Sequence, residues 1–427
     1  MDIASLHKLY KQHPSVQTDT RKLKEGDIYF ALKGPNFDGN RFAIQALEAG
    51  AAYAVIDDAE YATDERCILS DDVLTTLQQL AKHHRQQFSI PFIAITGSNG
   101  KTTTKELVTT ALSAKYKTIA TKGNLNNHIG VPLTILSIPM DTEMAVIEMG
   151  ANHQKEIASY CNIALPTHGI ITNCGKAHIE GFGGEEGVRK GKGELYDYLR
   201  ANDGVIFRNT DLPYLKDMAA GIAQQVTYGS ADATYIGKPL TDDVFLKVAV
   251  LSKDAEATIN TQLVGEYNFP NVMTAVATGL HFGISIDDIK AAIEAYAPDN
   301  SRSQWVVIGT NKVILDAYNA NPTSMQAAIS NFAKVDLPNK ILMLGGMKEM
   351  GPDEEKEHNA LVALVNEYKW YDVILVGPEF KQTGGHKHFN TSTEAADYVK
   401  QHSPENASIL IKGSRSTKME VIMEAMQ

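Results

Sequence analysis

Hydrophobic and polar positions fall into two regimes along the 427 residues. In the first, short continuous apolar runs end at glycine or polar clusters, as in "PFIAIT", "MAVIEMG", "HGIITNCG", "KILMLGG", "DVILVG" and "ASILIKG". Such runs are expected of strands buried on both faces of a parallel sheet. In the second regime, apolar residues recur every three or four positions, which predicts helices with one buried stripe. "KTTTKELVTTALSAKY" places Leu107, Val108, Ala111 and Leu112 on one stripe. "YNFPNVMTAVATGLHFG" reads as a helix with Pro270 in its first turn, where a missing N–H costs nothing.

The order of these elements divides the chain in three. Residues 1–88 hold the strand-like "GDIYFAL", a helix ending at Gly50 with a β-rich run behind it, and the closing helix "DDVLTTLQQLAKHHRQQF". A small α/β unit is the expectation. Residues 89–298 begin with "PFIAIT" and a loop-helix unit. Between Val226 and Leu263 they change to short alternating runs, "VFLKVAV" and "EATINTQL", expected of an antiparallel patch. Residues 299–427 alternate strand and helix from "KVILDAY" to "ASILIKG" and a terminal helix, which predicts a doubly wound, Rossmann-like sheet. The expected fold class is therefore α/β with three domains: small N-terminal, central P-loop-type with a mostly parallel sheet, and C-terminal Rossmann-like.

Composition narrows the function classes. With 43% hydrophobic and 21% charged residues, the chain is globular rather than disordered. A formal net charge of -11 without a basic block argues against a nucleic-acid partner held by phosphate neutralisation. No run approaches the roughly 18 apolar residues of a membrane span, and the N-terminus lacks the pattern of a leader. The three cysteines, Cys67, Cys161 and Cys174, form no C-x-x-C pair, which speaks against a disulfide scaffold or zinc knuckle and fits a reducing cytoplasm.

The chemistry starts at "ITGSNGKTTTKEL". This is a phosphate-binding loop one glycine short of G-x-x-x-x-G-K-[ST], with Ile95 where the first glycine would stand. A strand, a turn and a helix N-terminus still present free N–H groups to a phosphate. The expected nucleotide contacts are Thr96, Gly97, Ser98, Asn99, Gly100, Lys101, Thr102 and Thr103, with Lys101 on the outer phosphates and the Thr102 hydroxyl on Mg²⁺. Glu148 ends the run "AVIEMG" at the ligand-binding edge of the sheet, either as a metal ligand or as an edge carboxylate. Lys192 falls on the apolar stripe of Val188, Leu195 and Leu199. A lysine there either snorkels past the helix edge or loses its proton, and a neutral amine can capture carbon dioxide as a metal-binding carbamate. His178 follows a predicted strand, as a loop histidine or a ligand. "GNLNNHIGVP" and "DAYNANPTSM" are asparagine-rich loops at βα edges, as turns or ligand contacts.

"TGSNGKTTTKE", "NLNNHIGVP", "EMGANHQKEI", "AHIEGFG…KGKGELY", "YNFPN", "DAYNANPTSM" and "KGSRSTKME" occur in this order, and together they resemble the ATP-dependent Mur ligases of bacterial cell-wall synthesis. The resemblance spans nearly the whole chain, and the family's P-loop shares the shortened spacing. It implies ATP, two Mg²⁺ ions and a carbamylated Lys192, with Lys101, Glu148, His178 and Lys192 as catalytic residues. Thr102, Glu148, His178 and the Lys192 carbamate would ligate metal. Asn268, Asn271, Arg302 and Asp316 would reach the nucleotide, although "SRSQ" around Arg302 departs from the family's usual Gly before and Glu after the arginine. "DTRKLKEGDIYFALKGPNFDGNRF" is similar to a UDP-binding module, which implies Thr20, Arg21, Asn36 and Asp38, with Asn126 and Asn127, on the UDP substrate. The implied partners are UDP-N-acetylmuramoyl-tripeptide and D-alanyl-D-alanine, the latter on Asn319, Lys412 and Arg415. "EMGANHQKEI" and "DAYNANPTSM" favour the dipeptide adder over its tripeptide-forming relative, and no "DNPR"-type stretch is present. A cytoplasmic monomer is the accompanying expectation.

Overall fold

The computed structural model describes residues 1–240, 243–252 and 255–427. Residues 241–242 and 253–254, inside the expected antiparallel patch, lie outside the described residues.

Three large sheets carry the described residues, beside a two-stranded hairpin of Lys33–Gly34 and Phe37–Asp38. The first has four parallel strands in the order Val16–Gln17, Ile28–Phe30, Tyr53–Ile56, Cys67–Leu69. The second has nine strands, beginning at the edge Thr118–Ala120. Met144–Glu148, Phe92–Thr96, His168–Ile171, Val205–Asn209, Gln224–Gly229 and Tyr235–Leu240 continue it in parallel. Phe245–Ser252 and Ala255–Val264 complete it as antiparallel strands. Residues 92–96 and 144–148 are buried throughout, as continuous apolar runs require of central parallel strands. The third sheet runs Gln304–Ile308, Asn311–Asp316, Ser408–Lys412, Lys340–Gly345, Asp372–Val376, Lys387–Phe389. It is parallel except for the first pair, a hairpin whose opening strand "QWVVI" carries no clear period and was not expected.

The two domain joints are built differently. The first and central sheets share one apolar core that runs from Leu6, Tyr10 and Phe30 through Leu77 and Leu80 to Phe92, Ile135 and Ile147. The helix Val73–Arg85 fastens it. Its last residue stacks a guanidinium 3.7 Å above the Phe92 ring. The same group donates to the carbonyls of Ala164 (2.8 Å), Phe88 (2.8 Å) and Leu165 (2.9 Å). The third sheet has a core on each face, one of which takes in Val264 of the central domain, with Phe245 and Tyr267 packed against it. Its contact with the central domain includes one apolar patch, where Phe245 and Trp305 rings stand 5.4 Å apart. Polar pairs supply much of the rest. Asn321 Nδ2 donates to Asn99 Oδ1 (2.7 Å), Lys176 Nζ to Glu357 (2.8 Å), and the Tyr267 hydroxyl meets the Ser303 hydroxyl at 2.9 Å.

Candidate active site

The C-terminal ends of three adjacent central strands meet at one edge, where open α/β sheets bind ligands. From Phe92–Thr96 the chain passes through Gly97 (φ 144°) and Gly100 (φ 79°) into the helix Lys101–Ser113. Both glycines are required by shape as well as by φ. A Cβ at Gly97 would strike the Thr172 hydroxyl, and one at Gly100 would lie 2.7 Å from Asn271 Oδ1.

The neighbouring strand end holds the loop. Ser98 N–H donates to Asn173 O (2.9 Å), Asn99 N–H to Asn173 Oδ1 (3.0 Å), and the Thr172 hydroxyl to Asn99 O (2.6 Å). Thr96 donates its hydroxyl to Met149 O at 2.8 Å. Thr172 and Asn173 are thus the loop's scaffold, and sequence reasoning missed them. Their signal was available: "ITNCG" turns polar immediately after an apolar run.

Lys101 Nζ folds back over the loop, 2.7 Å from Gly97 O and 3.2 Å from Ser98 O. Burial lowers its pKa to about 8, with Arg302 adding to the effect and Glu148 opposing it. A polyphosphate on the loop would supply the negative charge this ammonium lacks.

Glu148 is 1% exposed. Its Oε1 accepts from the Thr102 hydroxyl (3.2 Å) and from Asn126 Nδ2 (2.8 Å). Its Oε2 has no hydrogen-bond partner, and Lys105 Nζ stands 3.9 Å away. A buried carboxylate oxygen left open beside a hydroxyl and a phosphate loop is the donor set of a Mg²⁺ ion shared with a nucleotide. Among the described residues no three His, Cys, Asp or Glu side chains cluster as a self-sufficient metal cage.

Lys192 is 1% exposed and lies on the buried stripe of the helix Glu185–Ala201. Its Nζ donates to Ala151 O (3.1 Å) and sits 4.7 Å from the Phe182 ring centroid. Burial, then the Lys101 charge, lower its pKa to about 7, so a neutral amine is accessible. It does not snorkel. His178, at φ 54°, precedes the short helix Ile179–Phe182, and its Nδ1 is ion-paired with Glu349 of the third domain.

The third domain supplies the opposite wall. Arg302 stacks 3.7 Å from the Tyr318 ring centroid. Asp316 Oδ2 accepts from Lys412 Nζ at 2.6 Å, and Asn319 O lies 3.4 Å from the same ammonium. Lys412 is therefore buried and already neutralised, whereas Arg415 is exposed and loosely paired with Glu420 at 3.4 Å. Behind the loop, Asn271 Nδ2 donates to Asn268 Oδ1 (2.9 Å), Asn268 Nδ2 to Val264 O (2.9 Å), and the Thr104 hydroxyl to Asn271 Oδ1 (3.0 Å).

One cleft of about 1000 Å³ is lined by residues 98–103, Asn126, Asn127, Glu148, His178, Asn268, Asn271, Arg302, Asp316, Asn319, Lys412 and Arg415. Thr96, Gly97 and Lys192 are not among its lining residues. Four expected residues do not reach it. Thr20 opens the turn Thr20–Lys22. Arg21 is exposed and doubly bonded to Asp19 (2.8 and 2.8 Å). Asn36 is exposed in the Lys33–Asp38 hairpin turn, and Asp38 accepts from Asn40 N–H at 3.0 Å.

Three family profiles match the chain: "Mur ligase family, catalytic domain" over residues 14–85, "Mur ligase middle domain" over 95–279, and "Mur ligase, glutamate ligase domain" over 301–415. A UDP-N-acetylmuramoyl-tripeptide--D-alanyl-D-alanine ligase of Bacillus subtilis is 37% identical, over 96% of this chain and 92% of its own. The ligase of the same name from Escherichia coli is 34% identical over 97% and 93%. The crystal structure of MurF from Acinetobacter baumannii superposes with a TM-score of 0.87 at 30% identity, covering 96% of this chain and 93% of that one.

Proposed function

The chain belongs to the Mur ligase family, and we propose that it joins D-alanyl-D-alanine to UDP-N-acetylmuramoyl-tripeptide at the cost of ATP. It is an ATP-dependent enzyme that forms a C–N bond. The observation that carries this reading is the convergence in one cleft of Lys101, Thr102 and the open Glu148 carboxylate with Arg302 and Asp316 from the opposite domain.

A carboxylate does not accept an amine at neutral pH, because oxide would have to leave. Transfer of the γ-phosphoryl group to the terminal carboxylate of the tripeptide makes an acyl phosphate, whose phosphate leaves readily. The dipeptide amine then attacks the acyl carbon, the C–O bond to phosphate breaks, and the amine loses a proton. Both partners of the first step are anions, so the protein's task is to position them and neutralise charge.

The loop N–H groups and Lys101 hold the phosphates. Thr102 and Glu148 would hold one Mg²⁺, and His178 with a carbamate on Lys192 a second; the ions supply charge neutralisation between phosphate and acceptor carboxylate. The depressed Lys192 pKa supports the carbamate, since only the neutral amine captures carbon dioxide. Arg302 and Asp316 complete the nucleotide site from the third domain, and its closure excludes water from the acyl phosphate. Asn126 and Asn127 face the acceptor, while the first domain, with Thr20, Arg21, Asn36 and Asp38, holds the uridine nucleotide. The dipeptide carboxylate goes to Arg415 near Asn319, with Lys412 acting through Asp316. The three functional domains are 1–88, 89–298 and 299–427. No helix among the described residues is long and apolar enough to cross a membrane, and we place the reaction in the cytoplasm, where ATP is supplied.

Phosphate release from ATP tests the reading. Release that requires both UDP-N-acetylmuramoyl-tripeptide and D-alanyl-D-alanine is expected. Release with a shorter UDP-linked peptide and meso-diaminopimelate or lysine would assign a different ligase of the family.

A further inference from the structure

Glu106 lies on the phosphate-loop helix, which begins at Lys101. Its carboxylate takes no part in the chemistry described above. Both of its oxygens are instead occupied by the segment that joins the central and third domains. The Tyr296 hydroxyl donates to Oε2. Asn300 Nδ2 donates to Oε1 (2.9 Å) and to Oε2 (3.0 Å). Asn300 Oδ1 is buried without a partner, so the pair with Glu106 is what holds this amide. On its other side Glu106 Oε1 is 3.9 Å from the buried Lys105 ammonium, which stands 3.9 Å from Glu148 Oε2 as well.

The joining segment is short. The helix Ile286–Ala295 precedes it, with Ile289 and Ile293 in a core of the central domain, and the third sheet begins at Gln304. Arg302 falls between them. It is flanked by two residues in the left-handed region, Ser301 at φ 57° and Ser303 at φ 50°. Residues with a Cβ disfavour that conformation, and it persists where the surroundings over-determine it. Here Ser301 N–H donates to Gln304 Oε1 (3.2 Å), Ser301 O accepts from Tyr318 N–H (3.3 Å), and the Ser303 hydroxyl meets the Tyr267 hydroxyl at 2.9 Å. The backbone on either side of Arg302 therefore has a fixed course, and Glu106 grips it from the helix that carries the phosphate loop. Arg302 lines the same cleft as Lys101, with its guanidinium stacked on Tyr318.

We propose that Glu106 is a positioning residue: by fastening the interdomain segment to the phosphate-loop helix through Tyr296 and Asn300, it sets where Arg302 meets the nucleotide. The inference rests on the reading that Arg302 binds the nucleotide.

A non-hydrolysable ATP analogue with Mg²⁺ is the probe, titrated by calorimetry into the full chain. Arg302→Ala should weaken it about tenfold or more, as the loss of a charge-assisted bond does. Glu106→Ala should weaken it about 3–10-fold, and the two together should be no weaker than Arg302→Ala alone, because the anchor then has nothing left to place. Tyr296→Phe combined with Asn300→Ala removes the segment's donors and leaves Glu106 beside Lys105. That variant should reproduce the Glu106→Ala loss, and it is crossed with Arg302→Ala in the same way should Glu106→Ala fail to fold. Losses that multiply when combined with Arg302→Ala would overturn the positioning role, since an independent structural contribution adds in free energy. If the Tyr296→Phe, Asn300→Ala variant binds as tightly as the unmodified protein, the segment is not held through these donors and the role is likewise overturned, while a weakened Arg302→Ala leaves the nucleotide reading standing. If Arg302→Ala itself binds unchanged, that reading of Arg302 fails and takes this inference with it.

Discussion

The two joints of this molecule bury different chemistry. Between the first and central domains, apolar side chains form one continuous core, pinned by an arginine that satisfies three carbonyls. Opening that joint would expose apolar surface at about 25 cal/mol per Å² and part the arginine from the carbonyls of Ala164 and Leu165. Between the central and third domains, the apolar contact is confined to one side, at Val264, Phe245 and Trp305, while Asn99–Asn321, Lys176–Glu357 and His178–Glu349 cross a polar cleft. Water replaces such pairs at little cost. The lesson is that one joint is suited to hold a substrate platform still, and the other to open for ligands and close over a reactive intermediate.

The largest expected effect comes from removing a reactive side chain from the central domain's side of the polar cleft. Lys192→Ala should lower ligase activity by about 10²–10³-fold or more, with partial recovery when a short carboxylic acid is added. Full activity in this variant would remove the carbamate from the mechanism.

Next in size is a break in the fixed joint. Arg85→Ala leaves three carbonyls, two of them buried, without this donor. At roughly 1 kcal/mol each, it should lose about 3 kcal/mol in denaturant unfolding. A loss below about 1 kcal/mol would show that the joint does not depend on this residue.

An effect opposite in sign separates function from stability at Lys192. Its pKa is lowered from the ordinary lysine value of 10.5 to about 7 in the fold, so the folded state binds fewer protons than the unfolded state between those values. The resulting destabilisation is fully present below pH 7 and disappears as pH rises towards 10.5. Lys192→Met should therefore melt higher than the unmodified protein at pH 6.5, with the gain shrinking by pH 9.5. A gain that does not depend on pH would contradict the buried ammonium. Smallest is Lys176→Ala, expected to change stability by less than about 1 kcal/mol, yet to enlarge the ligand-free radius of gyration in X-ray scattering. An unchanged radius would show that this pair does not bias the joint.

Much of this was legible in the sequence where one local rule governed. Continuous apolar runs announced the central strands, and Gly97, Gly100 and Lys101 announced the loop. The three-four periodicity placed Lys192 on a buried stripe before any fold was known, and its burial follows. What could not be read was set by long-range contact. Thr172 and Asn173 support the loop from a strand more than 70 positions away. Asp316 and Lys412 neutralise each other across the third sheet, so a lysine expected to face a ligand is committed internally. Glu349 sits in an irregular loop whose composition gives no hint that it reaches His178. The hairpin strand Gln304–Ile308 is partly exposed and amphipathic in neither register, so periodicity passed over it.

The central claim is that a carboxylate in this cleft becomes an acyl phosphate before the amine arrives. An acceptor tripeptide whose terminal carboxylate carries oxygen-18 tests it directly, by mass spectrometry of the phosphate formed during ligation. One oxygen-18 atom transferred into each inorganic phosphate is the predicted result; product formed with unlabelled phosphate would contradict it.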